Sequence, residues 1–294
     1  MSGRSGRTRA RLSQNLFVGD VPARRLVAAA QPPMGMWVYD LGAGTGRVTA
    51  ALLVAGARVV AIERDPNLAR KLCTRFAGSD VRVIEGDLAE VRFTPPFVVV
   101  ANPPFNQTAV LLRRLLFEAP PPEAATLVLQ REAAERYAGR YGSALSLMAQ
   151  PWFELAVTYP FSRRDFIPIP AVEVAVLRIV RRATPLLENR EAQTWRAFVR
   201  GVFARGRPDA RGALRNLLSG LQWRRLSADL AIPAGATLTG LSLSQWTGLF
   251  RFVAAYAPAR RRAVAFGLPD TRMGGRRGGP LGTLPGPPPT PGED

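Results

Sequence analysis

The segment Asn102-Pro103-Pro104-Phe105 carries the side chains of this chain that are best suited to chemistry on a planar base. An amide oxygen and a backbone carbonyl can accept hydrogen bonds from the two N–H groups of an exocyclic amine and draw its nitrogen towards tetrahedral geometry. The prolines fix φ and hold these acceptors in place before a substrate arrives, and the aromatic ring can stack on the base. Because Asn-Pro-Pro also forms ordinary turns, the segment indicates methylation of an amine only together with residues upstream.

Upstream of this segment, the chain has the pattern of a strand, a glycine-rich turn and a helix. Residues 36–41 form a mostly apolar run that predicts a buried strand, and residues 48–54 predict a helix with an apolar inner side. Glycine lets the backbone approach a ligand closely and adopt φ > 0 without a Cβ penalty. This order is typical of nucleotide-binding α/β folds, although alone it also fits a plain strand–helix turn. The residues concerned are Asp40, Gly42, Gly44 and Gly46.

Further polar residues follow the next three predicted strands, which cover residues 58–62, 81–84 and 97–101. Glu63 lies about 20 residues past the glycines, where its carboxylate can accept hydrogen bonds from ribose hydroxyls. Asp87 can accept a hydrogen bond from an adenine amino group, and Asn102 follows the third of these strands. A single loop acid is usually only solvated, but polar residues after successive parallel strands indicate a ligand-binding edge. The candidate cofactor-binding residues here are Asp40, Gly42, Gly44, Gly46, Glu63, Arg64, Asp87, Leu88 and Asn102.

The types of these residues indicate which nucleotide they could bind. The phosphate-binding pattern Gly-x-x-x-x-Gly-Lys-[Ser/Thr] is absent, and Asp40 before the glycines suits an ammonium group rather than a pyrophosphate. S-adenosylmethionine carries an adenosine, an ammonium and a sulfonium without phosphate, so we predict it as the cofactor. On these residues alone, a nicotinamide cofactor stays open as the alternative.

Together these motifs resemble those of the rRNA adenine N6-methyltransferases, and among them the macrolide-resistance (Erm) branch more than the small-subunit KsgA branch. The resemblance runs from about Ser13 to about Tyr256. One departure from the family pattern is that Leu16 precedes Phe17. The matching segments are 13–15 (Ser-Gln-Asn), 40–46 (Asp-Leu-Gly-Ala-Gly-Thr-Gly), Glu63, Asp87, 102–105 and 166–172 (Phe-Ile-Pro-Ile-Pro-Ala-Val).

The resemblance implies a role for each residue on the target side of the site. Asn102 and the carbonyl of Pro103 would hold the target amine. The rings of Phe105 and Phe166 would clamp the flipped base between them. Stacking of this kind contributes about 1–3 kcal/mol per base.

On the cofactor side, the resemblance implies that Gln14, Asn15 and the backbone near Phe17 close over S-adenosylmethionine. The glycines would line its methionine end. Glu63 would bind its ribose, and Asp87 its adenine.

The resemblance also implies an α/β fold, the Rossmann-like S-adenosylmethionine-dependent methyltransferase fold with a mostly parallel seven-stranded sheet, followed by a small all-helical C-terminal domain. Strands predicted over 153–159 and 172–182 would end the sheet as an antiparallel hairpin. Pro208 suits the first turn of a helix, and Ser242 with Gln245 forms a capping box. Helices are predicted over 144–150, 189–205, 208–218 and 242–256. The predicted domains are a flexible basic arm (1–12), a catalytic domain (13–182), a helical RNA-binding domain (183–265) and a disordered tail (266–294).

The chain has no histidine, which excludes a histidine base, a Ser-His-Asp triad and a His-ligated metal, and we predict no metal site. The single cysteine, Cys73, lies in a helix predicted over 67–76, where we expect a small buried apolar role. One cysteine forms no internal disulfide, which suits a cytoplasmic protein. Methyl transfer to an amine requires neither base nor metal. A secretory signal and a membrane-spanning run are not expected.

The net charge of +18, from 40 basic and 22 acidic residues, predicts an anionic polymer as the partner. A GC-rich genome would explain why Lys71 is the only lysine, but not this excess of basic residues. Residues 183–262 hold 13 arginines against 4 acidic residues. We expect a monomer that binds 23S rRNA at a single-stranded or loop adenine, flipped out of its stack. The two basic ends either add non-specific RNA affinity or are dispensable.

The leading prediction is S-adenosylmethionine-dependent N6-methylation, with one or two methyl groups, of a specific adenine in 23S rRNA at the macrolide-binding region, conferring macrolide-type antibiotic resistance. The alternative enzyme is a small-subunit (16S) rRNA adenine dimethyltransferase of the KsgA type, acting in ribosome assembly. A non-catalytic RNA-binding protein would have no reason to retain Asn102, Asp87 and Glu63. DNA adenine methylation would call for a sequence-reading module that the chain does not show.

Overall fold

The computed structural model describes residues 15–118, 120–139 and 142–257. Several predictions lie outside these residues and are not tested by the structure. They are the role of Gln14, the arm 1–12, the end of the helical domain (258–265) and the tail 266–294.

Nine strands form two sheets in the described residues. The larger sheet has seven strands in the order β4-β3-β2-β5-β6-β9-β7, and β1 pairs with β8 in a separate small sheet. Strands β2 to β6 run parallel, and β9 lies antiparallel between β6 and β7. The predicted mostly parallel sheet and its closing antiparallel pair are therefore confirmed. The strands are β1 (Leu16–Phe17), β2 (Trp37–Leu41), β3 (Arg58–Glu63), β4 (Val81–Glu85), β5 (Val98–Ala101), β6 (Ala124–Gln130), β7 (Phe153–Thr158), β8 (Phe166–Ile167) and β9 (Val174–Arg181).

Helices cover both faces of the larger sheet, because its central strands are buried on both sides. Val99 joins one hydrophobic cluster while Val98 and Val100 join the other, as the alternation along a strand requires. No helix among residues 15–118, 120–139 and 142–257 is long and apolar enough to cross a membrane. The helices are α1 (Val21–Ala30), α2 (Arg47–Val54), α3 (Pro66–Arg75), α4 (Thr108–Phe117), α5 (Arg131–Ala138), α6 (Ala144–Ala149), α7 (Ala192–Phe203), α8 (Ala210–Leu214), α9 (Gly220–Asp229) and α10 (Leu243–Tyr256).

The helix α3 corrects one prediction from the sequence. Cys73 is exposed, so the expected buried apolar role is wrong. The inner face of α3 is occupied by Ala69 and Leu72, with Phe76 just past its end, and Cys73 lies outside this stripe. The helix begins at Pro66, one residue before the predicted start, where the side chain of Asp65 accepts hydrogen bonds from the first turn.

The helical region after β9 shares one hydrophobic cluster with the sheet. The indole N–H of Trp195 donates to the carbonyl of Leu147 at 3.1 Å, which joins α7 to α6. The capping box of Ser242 and Gln245 is confirmed, whereas Pro208 precedes α8, whose N-cap is Asp209. The helix α9 was not predicted. The domain boundary at residues 182–183 stays a prediction.

Candidate active site

The glycine-rich loop between β2 and α2 depends on glycine for both conformation and space. Gly44 and Gly46 have φ of 57° and 77°, in the left-handed region. A Cβ on Gly46 would lie 2.5 Å from the side chain of Leu72 on α3, and one on Gly44 would lie 2.9 Å from Leu16. The loop is therefore packed between α3 and the N-terminal segment, and only glycine fits at these positions.

Glu63 ends β3 and is buried, with 1% of its surface exposed. Its carboxylate accepts hydrogen bonds from the backbone N–H of Gly44 at 2.7 Å and of Asp65 at 2.8 Å. Each carboxylate oxygen can accept a further bond, so the predicted contact with ribose hydroxyls remains compatible with this arrangement. The carboxylate also fixes the glycine loop against β3.

Asp40 at the end of β2 is equally buried, and its carboxylate accepts a 2.6 Å hydrogen bond from the hydroxyl of Thr49. Burial raises the pKa of Asp40 to about 7, against the opposing effect of the hydrogen bonds with Thr49. The charge of Glu63 adds to the rise. Thr49 was not predicted as a site residue. Its position on the first turn of α2, facing the strand rather than solvent, was the available signal.

Asp87 follows β4 and is positioned by two contacts. It accepts a bond from the backbone N–H of Ala89 at 2.9 Å and lies 3.3 Å from the guanidinium of Arg64. Its neighbour Leu88 has a buried side chain, and the Leu88 carbonyl accepts from Arg114 at 2.7 Å. Arg114, on α4, was missed by sequence reasoning and holds this loop to the helix that follows the Asn-Pro-Pro-Phe segment.

Asn102 lies directly after β5, and the nitrogen and oxygen of its side-chain amide differ in their hydrogen bonding. The amide nitrogen donates to the carbonyl of Asn15 at 2.7 Å. The amide oxygen is buried and has no hydrogen-bond partner among the residues that the structure describes. Pro103 is buried and Phe105 half-buried, and Pro104 packs closely on the loop at Gly42. The predicted acceptor is thus oriented by Asn15, and no described residue pairs with its oxygen.

The small sheet of β1 and β8 determines where the aromatic residues point. Phe17 lies opposite Phe166 in this pair, and both rings face inward. The ring of Phe166 is 1% exposed, with centroids 5.1 Å from Phe17 and 5.8 Å from Phe161. The expected clamp of two accessible rings is therefore not found in this structure, because the pairing with β1 covers Phe166. Its stacking on a base stays a prediction that requires the ring to become accessible.

A cleft at the carboxyl edge of the sheet brings several of the predicted residues together. Of the candidates, Phe17, Asp40, Gly42 and Asn102 line it, whereas Glu63 and Asp87 lie outside its lining. Leu16, which departs from the family pattern, covers the glycine loop. The lining residues that sequence reasoning missed are Leu16, Ala43, Thr45, Arg47 and Val48.

The polar groups of this edge are carboxylates, backbone N–H groups and an amide. Arg47, the one basic residue lining the cleft in the described chain, is bound to Asp20 at 2.7 Å. Such a set suits hydroxyls, amines and an ammonium group, and it offers little to a phosphate. It fits S-adenosylmethionine, and the fold and the site define a Rossmann-like methyltransferase.

The family model described as ribosomal RNA adenine dimethylase matches residues 6–255. The chain belongs to this family, the rRNA adenine N6-methyltransferases, which confirms the resemblance stated from the sequence.

Individual relatives support the same assignment. The chain is 33% identical over 245 residues to the mycinamicin-resistance protein MyrB of Micromonospora griseorubida, covering 82% of this chain and 77% of that protein. It is 31% identical over 252 residues to an rRNA adenine N-6-methyltransferase of Saccharopolyspora erythraea, covering 83% of this chain and 65% of the relative, just under two thirds of its length. The solved structure of the 23S rRNA methyltransferase ErmE superposes with a TM-score of 0.74 at 29% identity, over 82% of this chain and 100% of that chain.

Proposed function

We propose that this protein uses S-adenosylmethionine to methylate N6 of a specific adenine in 23S rRNA at the macrolide-binding region, and thereby confers macrolide-type resistance. The observation that carries the proposal is the buried amide oxygen of Asn102, which has no hydrogen-bond partner in the described part of the chain. An acceptor in this state suits an amine donor from outside the protein. The similarity to MyrB and to ErmE supports the choice of target and of physiological role.

The target amine would be held by Asn102 and its neighbour. The contact with the Asn15 carbonyl fixes the side-chain amide, so its oxygen can accept one N–H of the adenine amine. The carbonyl of Pro103 would accept the second, and Phe105 would contact the base. These acceptors are in place before the substrate, which lowers the entropic part of the barrier. The proton lost after transfer can pass to water, since the product amine is cationic.

The cofactor, when bound, supplies a methyl group already activated by its sulfonium charge. Asp40 would bind the ammonium, Glu63 the ribose and Asp87 the adenine amino group. The glycine loop lets the backbone come close to the methionine end, with Asn15 and Phe17 beside it. The remaining candidates for cofactor contacts are Gln14, Arg64, Leu88 and Asn102.

The test is methyl transfer from labelled S-adenosylmethionine to separated, unmodified 23S and 16S rRNA, with reverse-transcription stops to locate the base. We expect one stop in the peptidyl-transferase loop of 23S rRNA. Resistance to a macrolide on expression in a sensitive host is the matching cellular measurement. Label in neither RNA would contradict the proposal.

A second candidate is dimethylation of 16S rRNA during ribosome assembly. The description of the matched family names ribosomal RNA without naming a subunit, and the residues of the cleft would serve either target. Label confined to 16S RNA, or to a small-subunit precursor, would favour this function.

A further inference from the structure

The small sheet of β1 and β8 has an apolar outer face. Its inner face carries Phe17 and Phe166, and Leu16 lies opposite Ile167 on the other face. Ile167 is 61% exposed, and Val18, next to Leu16 and Phe17 in the chain, is 50% exposed. Ile169, two residues past Ile167, is also 61% exposed. We call Val18, Ile167 and Ile169 the apolar platform.

The platform adjoins the entrance of the cleft. Leu16, the cross-strand partner of Ile167, lines the cleft together with Asn102. The carbonyl of Asn15, one residue earlier, accepts the amide N–H of Asn102. The platform is therefore linked to Asn102 through Leu16 and Asn15, and the nucleotides next to a base bound at Asn102 would lie near it.

Positive charge flanks the platform. Arg24 on α1 and Arg164, just before β8, are exposed and make no ion pair with another described residue. Two acids near these arginines are already paired, since Asp20 pairs with Arg47 at 2.7 Å and Asp165 with Arg25 at 3.8 Å. The two arginines thus leave uncompensated positive charge next to exposed apolar side chains.

We propose that the apolar platform, with Arg24 and Arg164, receives the single-stranded RNA immediately next to the target adenine, an inference that rests on the proposed function. When an adenine leaves its stack, the face of a neighbouring base loses its partner, and apolar side chains can cover it. The arginines would contact the adjoining phosphates. Charge complementarity and continuity with the cleft favour RNA over a protein as the occupant.

The first test compares kinetics of the full chain on a protein-free 23S rRNA fragment. For Ile167→Ser combined with Ile169→Ser, we expect KM for RNA to rise about tenfold, while the Kd for S-adenosylmethionine and the Tm stay unchanged. The single variant Val18→Ser should give a smaller rise. The matched control is Val54→Ser, because Val54 is 86% exposed and ends α2, at the opposite edge of the sheet. An unchanged KM in the double variant would overturn the proposal.

The second test addresses the charges. In Arg24→Gln combined with Arg164→Gln, the slope of log KM against log salt should fall by about 0.7 for each phosphate that the protein no longer neutralises. Arg70→Gln, on the exposed side of α3, is the matched control and should leave the slope unchanged.

A defect of the platform variants on ribosomal particles but not on protein-free RNA would assign the surface to a protein and overturn the inference. If the unaltered protein methylates no rRNA, the proposed function itself is wrong, and this inference with it.

Discussion

The two halves of the carboxyl edge of the sheet differ in how completely their polar groups are paired. In the cofactor half, at the ends of β2 and β3 and after β4, each carboxylate proposed to bind the cofactor already accepts a hydrogen bond from within the protein. These residues are Asp40, Glu63 and Asp87. In the target half, after β5, the buried oxygen of Asn102 has no partner among the described residues. The side-chain oxygens of Gln107 and Thr108, a few residues further on, are also buried and have no hydrogen-bond partner among the described residues.

This difference shows which half depends on its ligand. The buried oxygen of Asn102 has no partner among the described residues, so an N–H donor of a substrate can pair with it without displacing a contact that the structure describes. The cofactor half, in contrast, uses the same carboxylates to fix its own loops and to offer their remaining lone pairs to a ligand. Substitutions should therefore affect mainly catalysis in the target half, and stability together with cofactor binding in the cofactor half.

The largest expected effect is that of Asn102→Ala. We expect kcat to fall about a thousandfold, which corresponds to about 4 kcal/mol, because the variant has no acceptor for the target amine. The Kd for S-adenosylmethionine should rise far less than kcat falls, because Asn102 is only one of several proposed cofactor contacts. The free energy of unfolding should fall by no more than about 1 kcal/mol, since only the bond to the Asn15 carbonyl is removed. Single-turnover methylation, calorimetric titration and urea unfolding measure the three quantities.

The matched control for this variant is Asn106→Ala, which removes an exposed asparagine directly after the Asn-Pro-Pro-Phe segment. It should leave kcat unchanged. Near-normal turnover of Asn102→Ala would contradict the role of the amide, and a large loss of stability would contradict the contrast between the two halves.

The next effect, in the cofactor half, is that of Glu63→Ala. The backbone N–H groups of Gly44 and Asp65 lose their acceptor, so we expect the free energy of unfolding to fall by about 3 kcal/mol. The Kd for the cofactor should rise at the same time. Glu85→Ala is the control, because Glu85 lies opposite Glu63 in the neighbouring strand and is exposed. A Glu63 variant with normal stability but weaker cofactor binding would show that the carboxylate serves the ligand only.

The same contrast explains how much the sequence could predict. The strands β2 to β5, β7 and β9, the glycine loop and the carboxylates were predictable, because each depends on a local pattern of apolar periodicity and turn residues, whereas the central strand β6 was not predicted. Cys73 was assigned to the wrong side of α3, because helical spacing alone did not fix which apolar residues face the sheet.

Contacts between distant segments were not predictable from local patterns. The pairing of Phe17 with Phe166 joins residues far apart in the chain, and it decides that these rings are buried. The contact of Arg114 with the Leu88 carbonyl and that of Asn102 with the Asn15 carbonyl are of the same kind. Such contacts follow from the tertiary arrangement, and no spacing in one stretch of sequence encodes them.

The smallest expected effect concerns the titration of Asp40 in the cofactor half. Its pKa is raised from 3.8 to about 7 by burial, so between these values the folded state holds a proton that the unfolded state has released. Stability must then fall as pH rises, by about 2 kcal/mol from about pH 5.5 to about pH 7. Asp40→Asn keeps the acceptor for Thr49 but cannot titrate, so urea unfolding of the variant should lack this part of the pH dependence. Parallel pH profiles for the two proteins would show that Asp40 is ionised throughout this range and would contradict the raised pKa.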